Sequence, residues 1–227
     1  MIKNPFKLFT KFDYILWSVS ATVVALSFLF SPERDALTLI ASVIGVSALI
    51  FIAKGHVVGQ FLIIAFAILY GIVSIKFQYY GEAITYLGMS MPMAICSLIS
   101  WLRHPYGDSA QVEVKTITPR LALGIAVACV AVTVAFYFIL KNLGTQNLFF
   151  STISVTTSFY AASLTFFRSP FYAVGYCAND IVLIILWILA TVESIAYLPV
   201  ILCFVMFLIN DVHGFICWRA MQKTQSP

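Results

Sequence analysis

The sequence predicts an all-α polytopic membrane protein with about eight transmembrane helices. Of its 227 residues, 62% are hydrophobic and only 10% are charged, whereas a soluble domain carries roughly a quarter charged residues. A bilayer core of about 30 Å requires about 20 apolar residues per helix, and such stretches recur from residue 14 to residue 218. The substantial polar loop, 103–118, is too short for a soluble catalytic domain.

The predicted transmembrane segments follow one another with short connections. They are 14–30, 36–53, 57–75, 83–101, 119–140, 148–167, 171–191 and 197–218. The first segment follows a basic start, MIKNPFKLFTKFDY, but it is long for the apolar core of a signal peptide, and no A-x-A-like cleavage site precedes SPERD. We therefore expect it to remain as a helix of the mature protein.

Lysine and arginine are distributed unevenly along the chain. If the N-terminus is cytoplasmic, eight spans place ten of these residues in the cytoplasm and three outside. The ten are Lys3, Lys7, Lys11, Lys54, Arg103, Lys115, Arg120, Arg168, Arg219 and Lys223; the three are Arg34, Lys76 and Lys141. Because cytoplasmic loops of membrane proteins are enriched in these residues, both termini are predicted to be cytoplasmic. The net charge of +4 is explained by this topology rather than by a nucleic-acid partner.

An internal repeat relates the two halves of the chain. At a shift of 117 residues, the aligned aromatic pairs are Tyr70 with Trp187, Tyr80 with Tyr197, and Trp101 with Trp218. The repeat units, 36–101 and 148–218, hold three predicted helices each and are joined by the helix 119–140. Both units therefore enter the membrane in the same direction. Parallel repeats of this kind are typical of transporters with a substrate site between the repeats near mid-membrane.

The repeat predicts a division of the chain into four parts. Residues 1–35 form an N-terminal tail and an extra helix, and residues 36–103 form the first three-helix bundle. Residues 104–147 hold a cytoplasmic loop and the linker helix, and residues 148–227 form the second bundle and the C-terminal tail.

Polar side chains within the last two predicted spans are candidates for substrate binding. Asn179, Asp180 and Trp187 lie in one of these spans, and Asn210 and Asp211 lie in the other. Buried polar groups in a membrane usually face a bundle interior or a water-filled path, so these residues predict a polar and aromatic cavity. The alternative is that they only hydrogen-bond neighbouring helices as packing contacts.

Four further residues are predicted to line the same cavity. Gln78 and Tyr86 lie around the start of the fourth span, where an amide and a phenol would suit a neutral polar ligand, although tyrosine is also frequent at membrane interfaces. Thr157 and Tyr160 lie together in TTSFYAASL of the sixth span. In the fourth span, Pro92 follows closely after Gly88 and predicts a kink or a loosened helix.

Signatures of enzymes and metal sites are absent from the sequence. It has no HExxH, GxSxG, DDxxD or P-loop motif, which favours transport or binding over catalysis. The three histidines are scattered, and the five cysteines lie in apolar segments without CxxC spacing. We therefore expect no metal site and no cofactor, with the cysteines acting as packing residues.

Three segments of the chain resemble the PnuC family of bacterial vitamin transporters, specifically its nicotinamide riboside type. They are YGEAITYLGMSMPMAICSLISWLRHP (80–105), TTSFYAASLTFFRSPFYAVGYCANDIVLIILW (156–187) and FLINDVHGFICWRAM (207–221). The resemblance implies a fold like that of the SWEET transporters, in which two parallel three-helix bundles are joined by a linker helix. The N-terminal segment, which carries little of the resemblance, would add an extra helix.

The resemblance also implies a function. It is facilitated diffusion of nicotinamide riboside across the bacterial inner membrane, made directional by a cytosolic kinase that phosphorylates the substrate for NAD biosynthesis. A homotrimer is the assembly that the family suggests. Thiamine or riboflavin, which related transporters carry, remain alternative substrates, and an intramembrane enzyme or a sensor remains an alternative class.

The chemistry of nicotinamide riboside suits the candidate residues. Trp187 could stack on the cationic pyridinium ring, a contact of about 0.5–2 kcal/mol. Asn179, Asn210 and Gln78 could pair with the carboxamide and the ribose hydroxyls. Because no lysine or arginine lies well inside a predicted span, we expect the phosphorylated mononucleotide to be excluded.

Overall fold

The computed structural model of the protein describes residues 4–29, 35–76, 78–145, 147–191 and 198–226. A short 3-10 turn, Pro5–Leu8, precedes the helices. The helices are α1 (Lys11–Leu29), α2 (Ala36–Ala53), α3 (Val58–Lys76), α4 (Tyr80–Thr85), α5 (Met91–Arg103), α6 (Pro119–Asn142), α7 (Leu148–Phe166), α8 (Tyr172–Thr191) and α9 (Leu198–Gln225). A single π-helical turn, Tyr86–Ser90, makes α4 and α5 one continuous rod. Each predicted span therefore contains a helix.

Seven of these helical rods are long and apolar enough to cross a membrane, counting α4–α5 as one. Helix α7 has a comparable length of 19 residues, but eight of them are serine or threonine, and it does not belong to the seven. Its hydroxyl groups bond back to carbonyls of its own helix, as Thr152 does to Leu148 (2.7 Å) and Ser163 to Phe159 (2.8 Å). Together with the all-helical fold, the seven rods establish a multi-pass membrane protein, as the sequence predicts.

The helices pack as two groups of three with two additional helices. Rods α2, α3 and α4–α5 form the first group, and α7, α8 and α9 form the second. The groups meet where α2 packs on α9 and where α5 packs on α7. Helix α6 packs on α7, and α1 packs on both α2 and α9. This is the predicted arrangement of two bundles, a linker helix and an extra N-terminal helix.

The rod α4–α5 widens at the position where the sequence predicts a loosened helix. The N–H group of Met91 donates to the carbonyl of Tyr86, five residues earlier, rather than to the residue four before it. Pro92 follows directly and has no N–H group to donate. Such π turns often occur at functional sites, and Tyr86 and Ser90, the two ends of this turn, both line cavities.

The segment 111–115 forms a strap across one end of both helix groups. The N–H group of Val112 donates to the carbonyl of Gly55 (2.9 Å), and that of Lys115 donates to the carbonyl of Arg168 (3.0 Å). Gly55 and Arg168 occupy the turns α2–α3 and α7–α8, and both have positive φ angles of 64° and 57°. Gln225 at the end of α9 holds the strap from a third side by bonding to Val112 and Val114. We call this end of the helices the strap end.

Two tryptophans cross between the helix groups just inside the strap end. The indole N–H of Trp101 in the first group donates to the carbonyl of Thr165 in the second (2.9 Å). The indole N–H of Trp218 in the second group donates to the carbonyl of Ile52 in the first (2.8 Å). The two rings lie 5.4 Å apart, and both side chains are buried. Since the repeat aligns these two residues, each group uses its equivalent tryptophan to bind the other.

A buried ion pair attaches α1 to both groups near the strap end. Asp13, which is fully buried, lies 2.8 Å from the ammonium of Lys54 at the end of α2. Its other oxygen lies 2.7 Å from Nε2 of His213 on α9. A single carboxylate thus joins the extra helix to the first group and to the second.

At the opposite end, Asp35 caps α2 and pairs with Lys76 at the end of α3 (2.6 Å). Burial tends to raise the pKa of Asp35, but the bonds from Lys76 and Thr38 outweigh it and hold the pKa below its ordinary value. The stability from this pair is therefore present at neutral pH and lost as the pH falls through the lowered pKa. Because the Lys76 side chain is half exposed, the pair contributes about 0–1 kcal/mol.

Replacing Asp13 should loosen the attachment of α1. We expect Asp13→Asn to destabilise the folded protein by about 3 kcal/mol, because it leaves the buried ammonium of Lys54 without its counter-charge. Asp35→Asn is the matched control, since it breaks an exposed pair at the other end and should cost at most about 1 kcal/mol. Thermal unfolding of both variants in detergent measures the difference, and equal destabilisation would contradict it.

Candidate functional site

Two adjoining cavities lie between the helix groups. The larger spans about 820 Å³ of space free of atoms and the smaller about 480 Å³, and part of each volume is open to the surroundings. We call the larger the Asp180 cavity and the smaller the Glu82 cavity, each after a carboxylate in its wall. Five residues line both cavities: Tyr86, Ser90, Ser158, Asn179 and Leu183. The Glu82 cavity lies towards the end opposite the strap, where α4 begins and the α6–α7 connection passes.

The Asp180 cavity contains polar atoms that have no hydrogen-bond partner among the described residues. They are Nε2 of Gln60, Oγ of Ser97 and Oδ2 of Asp180, all of which are buried. Gln60 is 2% exposed and Asp180 is 3% exposed. An unpaired buried polar group costs about 1–3 kcal/mol, so these atoms are suited to a polar ligand that enters the cavity and bonds to them.

A pair of carboxyl groups forms part of the same wall. Asp180 on α8 and Asp211 on α9 both line this wall and are near enough for their charges to interact. Because two like charges so close together oppose each other's ionisation, a cation in the cavity would favour the ionised form of the pair. Tyr172 and Tyr176 also line the cavity and offer aromatic faces to a cationic ring.

Asn179 is held in a fixed orientation by α7. Its Oδ1 accepts hydrogen bonds from Thr157 (2.9 Å) and Ser154 (3.2 Å). Because the carbonyl side of the amide is engaged with α7, the NH₂ side is left for the cavities, both of which Asn179 lines. Thr157 thus lies behind the cavity wall and orients a lining residue.

The Glu82 cavity has hydroxyl groups in its lining alongside apolar side chains. Its polar lining consists of Glu82, Thr85, Tyr86, Ser90, Thr145, Ser151, Ser154, Ser158 and Asn179. The carboxylate of Glu82 lies near Tyr70 on α3, and the ring of Tyr70 packs on the ring of Tyr86 at 4.5 Å. The cavity therefore combines one acidic group with several small hydroxyl groups.

Four of the nine residues predicted from the sequence line the Asp180 cavity, namely Tyr86, Asn179, Asp180 and Asp211. Thr157 stands behind Asn179. The other four lie elsewhere: Trp187, Asn210, Gln78 and Tyr160. That these residues bind substrate remains a prediction, but the structure separates the last four from both cavities.

Each of the four has a physical reason for its position. Trp187 is buried in an apolar cluster, where its ring meets that of Tyr79 at 6.1 Å. Asn210 turns towards α1 and donates to Ser20 (2.9 Å) and to the carbonyl of Met206 (2.7 Å). Gln78 is exposed at the α3–α4 junction with a φ of 64°, and Tyr160 is 43% exposed on the outside of α7.

The sequence reasoning missed several lining residues, of which Gln60 is the foremost. It lies in the first turn of α3, where a single amide near a helix end is not distinctive. The usable signal is that Gln60 is a lone amide within the predicted span 57–75. Ser90, Ser97 and Ser158 carried no signal, since serine is tolerated on any face of a membrane helix.

The described residues place no cationic side chain in either cavity wall. Among the residues that the structure describes, neither cavity is lined by lysine, arginine or histidine. The buried cations nearest the strap end are engaged elsewhere, since Lys54 pairs with Asp13 and Arg168 donates to Ser100 and to the carbonyl of Glu113. The site is therefore suited to a neutral or cationic ligand rather than an anion.

One group of side chains outside the cavities has the composition of a metal site. Ligand atoms of Asp13, His213 and Cys217 lie within 4.8 Å of one another. The ammonium of Lys54 lies 2.8 Å from Asp13 and 3.6 Å from the Cys217 sulfur, so it already supplies positive charge where a metal ion would bind. The five cysteines are free thiols. The expectation of no metal site remains a prediction.

Known proteins resemble this chain over most of its length. A family model described as nicotinamide mononucleotide transporter matches residues 35–220. The nicotinamide riboside transporter PnuC of Neisseria mucosa is 28% identical over 222 residues, which cover 96% of this chain and 84% of that protein. The crystal structure of the vitamin B3 transporter PnuC matches with a TM-score of 0.79 at 26% identity, covering 96% of this chain and 94% of that one.

Proposed function

Because the chain belongs to the nicotinamide mononucleotide transporter family, we propose that it carries nicotinamide riboside across the membrane by facilitated diffusion. The similar proteins named for nicotinamide riboside and for vitamin B3 support this substrate. The observation that carries the proposal is the Asp180 cavity, in which an unpaired amide nitrogen, a hydroxyl and a carboxylate oxygen are buried between two helix groups. The family is one of transporters, not of enzymes.

The cavity lining favours the nucleoside over the mononucleotide. A phosphate monoester carries a charge of about −1.5 to −2 at neutral pH, and a buried charge needs a partner of opposite sign. Both cavities offer carboxyl groups and no cation among the described residues. The phosphorylated form would therefore meet repulsion, as the sequence predicts.

The polar groups of the cavity correspond to the groups of the ligand. Gln60 and Asn179 would bond to the carboxamide and the ribose hydroxyls. The carboxyl pair of Asp180 and Asp211 would lie near the positive pyridinium, and the ring of Tyr176 could contribute a cation–π contact. A cationic ring is attracted by this lining, whereas the uncharged ring system of riboflavin would gain nothing from the carboxyl pair.

The proposal includes a topology and a cellular setting. The strap end would face the cytoplasm, with both termini there, because that orientation puts most lysines and arginines inside. The protein would lie in the bacterial inner membrane, and a cytosolic kinase would trap the substrate by phosphorylating it. The first group (36–103) and the second (148–227) would rock about the cavity as two units. A homotrimer is the assembly we propose for the membrane.

Uptake by liposomes that contain the purified protein tests the function. We expect labelled nicotinamide riboside to equilibrate across the membrane, and to accumulate when a nicotinamide riboside kinase and ATP are sealed inside. The mononucleotide should not inhibit uptake. Thiamine and riboflavin are the comparison ligands, and faster uptake of either would assign the protein to that vitamin. Failure to equilibrate any of the three would reject the transporter proposal in favour of a sensor or an enzyme.

A further inference from the structure

The Glu82 cavity has the features of a binding site in its own right. It is separated from the carboxyl pair of the Asp180 cavity by the shared wall that contains Tyr86, Asn179 and Leu183. Its acidic group is Glu82 in the first turn of α4. The hydroxyl oxygen of Thr145, also in its lining, is buried without a hydrogen-bond partner in the described part of the chain.

The position of the cavity places it on the route to the Asp180 cavity. Gly81 in its lining belongs to the first turn of α4, and Thr145 follows the end of α6. Both lie at the end opposite the strap, where Asp35 pairs with Lys76. At the strap end, Trp101 and Trp218 close the space between the groups. A ligand that arrives from the end opposite the strap meets the Glu82 cavity first.

We infer that the Glu82 cavity is a separate waiting site for a cationic nucleoside, with Glu82 as the group that attracts the ring. The inference rests on the proposed function and extends it from one binding site to two. Small hydroxyl groups, of which Ser154 and Thr145 are examples, would replace the water around the ribose. A carboxylate in a cleft without cations raises the local concentration of positive ligands and their association rate.

A waiting site has a kinetic property that distinguishes it from part of the final site. It accelerates entry to the Asp180 cavity and return from it by the same factor, so it leaves the equilibrium affinity of that cavity unchanged. Asp180, in contrast, would contribute to the affinity itself. Substitutions of Glu82 and of Asp180 should therefore have different effects in an experiment that measures both the transport rate and the affinity.

The test compares Glu82→Gln with wild type in liposomes, using two ligands. One is nicotinamide riboside, and the other is benzamide riboside, its neutral isostere with carbon in place of the ring nitrogen. We expect Glu82→Gln to lower kcat/KM for the cation about tenfold, with the Kd within twofold of wild type and with the neutral ligand unaffected. Glu82→Asp, which keeps the charge, should stay close to wild type. Asp35→Asn, which removes a carboxylate at the same end outside the cavity, should have no effect.

Each other outcome overturns the inference in a different way. If Glu82→Gln slows the transport of both ligands equally, Glu82 stabilises the protein structure and does not act on the charge of the ligand. If it raises the Kd as much as Asp180→Asn does, Glu82 belongs to the final site and no separate site exists. If wild type transports nicotinamide riboside but Glu82→Gln matches it for both ligands, the waiting site is rejected while the proposed function stands. If wild type transports neither ligand, both proposals fail.

Discussion

Asp180→Asn should weaken the binding of nicotinamide riboside about 100-fold and leave the binding of neutral benzamide riboside nearly unchanged. Asparagine preserves the shape of the side chain but removes the negative charge that Asp180 presents to the cavity at its unpaired Oδ2. If the carboxylate and the pyridinium ring lie about 5 Å apart in an effective dielectric constant of about 20, their attraction is worth about 3 kcal/mol. This corresponds to about a 100-fold change in Kd. Isothermal titration of the purified protein with both ligands measures the two effects.

Trp187→Phe is the control. It distinguishes the site that the structure indicates from the sequence-based hypothesis that Trp187 binds the substrate. Trp187 lies in the apolar cluster with Leu183, Phe204 and Phe207, and it does not line either cavity. The variant should therefore bind nicotinamide riboside within about twofold of wild type. If Trp187→Phe lost affinity as strongly as Asp180→Asn, the indole would be a ligand after all and the Asp180 cavity would not be the binding site. If Asp180→Asn lowered the affinity for both ligands equally, the carboxylate would act on folding and not through its charge.

The double variant Trp101→Phe, Trp218→Phe should open the strap end. Each indole hydrogen bond joins one helix group to a carbonyl of the other, so both bonds break only when the groups separate at this end. A buried hydrogen bond contributes about 1 kcal/mol. Two of them amount to about 2 kcal/mol, enough to change the ratio of open to closed molecules about 30-fold.

A cysteine placed in the cavity reports this opening. In a background without the native cysteines, Ser97→Cys puts a thiol in the wall of the Asp180 cavity, and this thiol should react faster with a membrane-impermeant reagent added at the strap end. Trp17→Phe is the matched control, because it also loses an indole bond, to Ser47 at 2.9 Å, but this bond joins α1 to α2 within one side of the molecule. If the control exposed the introduced thiol as much as the double variant, the effect would be general loosening and not opening between the groups.

Local patterns were sufficient to predict the membrane helices and their order. Apolar runs of about 20 residues define helices regardless of their neighbours, because a membrane leaves backbone groups no partner outside the helix. The repeat then predicted which helices form each group, and Gly88 and Pro92 predicted the loosened rod. These features depend on composition, spacing and charge, which the sequence displays directly.

Burial against a particular neighbour could not be predicted in the same way. Gln78 and Tyr160 looked like cavity residues because they are polar or aromatic and close to a span, yet both are exposed. Gln60 looked unremarkable but faces the cavity. In a helix that is apolar on every side, periodicity does not indicate which side meets another helix and which side meets lipid.

The two Asn-Asp pairs show the division between sequence and tertiary structure. The sequence determined that 179–180 and 210–211 place an amide and a carboxyl next to each other inside membrane helices. Adjacent residues on a helix point roughly 100° apart, so the two members of a pair can have different hydrogen-bond partners. The packing of α8 on α9 decided that Asp180 meets Asp211. The packing of α7 turned Asn179 into the cavity wall, and the packing of α1 drew Asn210 away to Ser20.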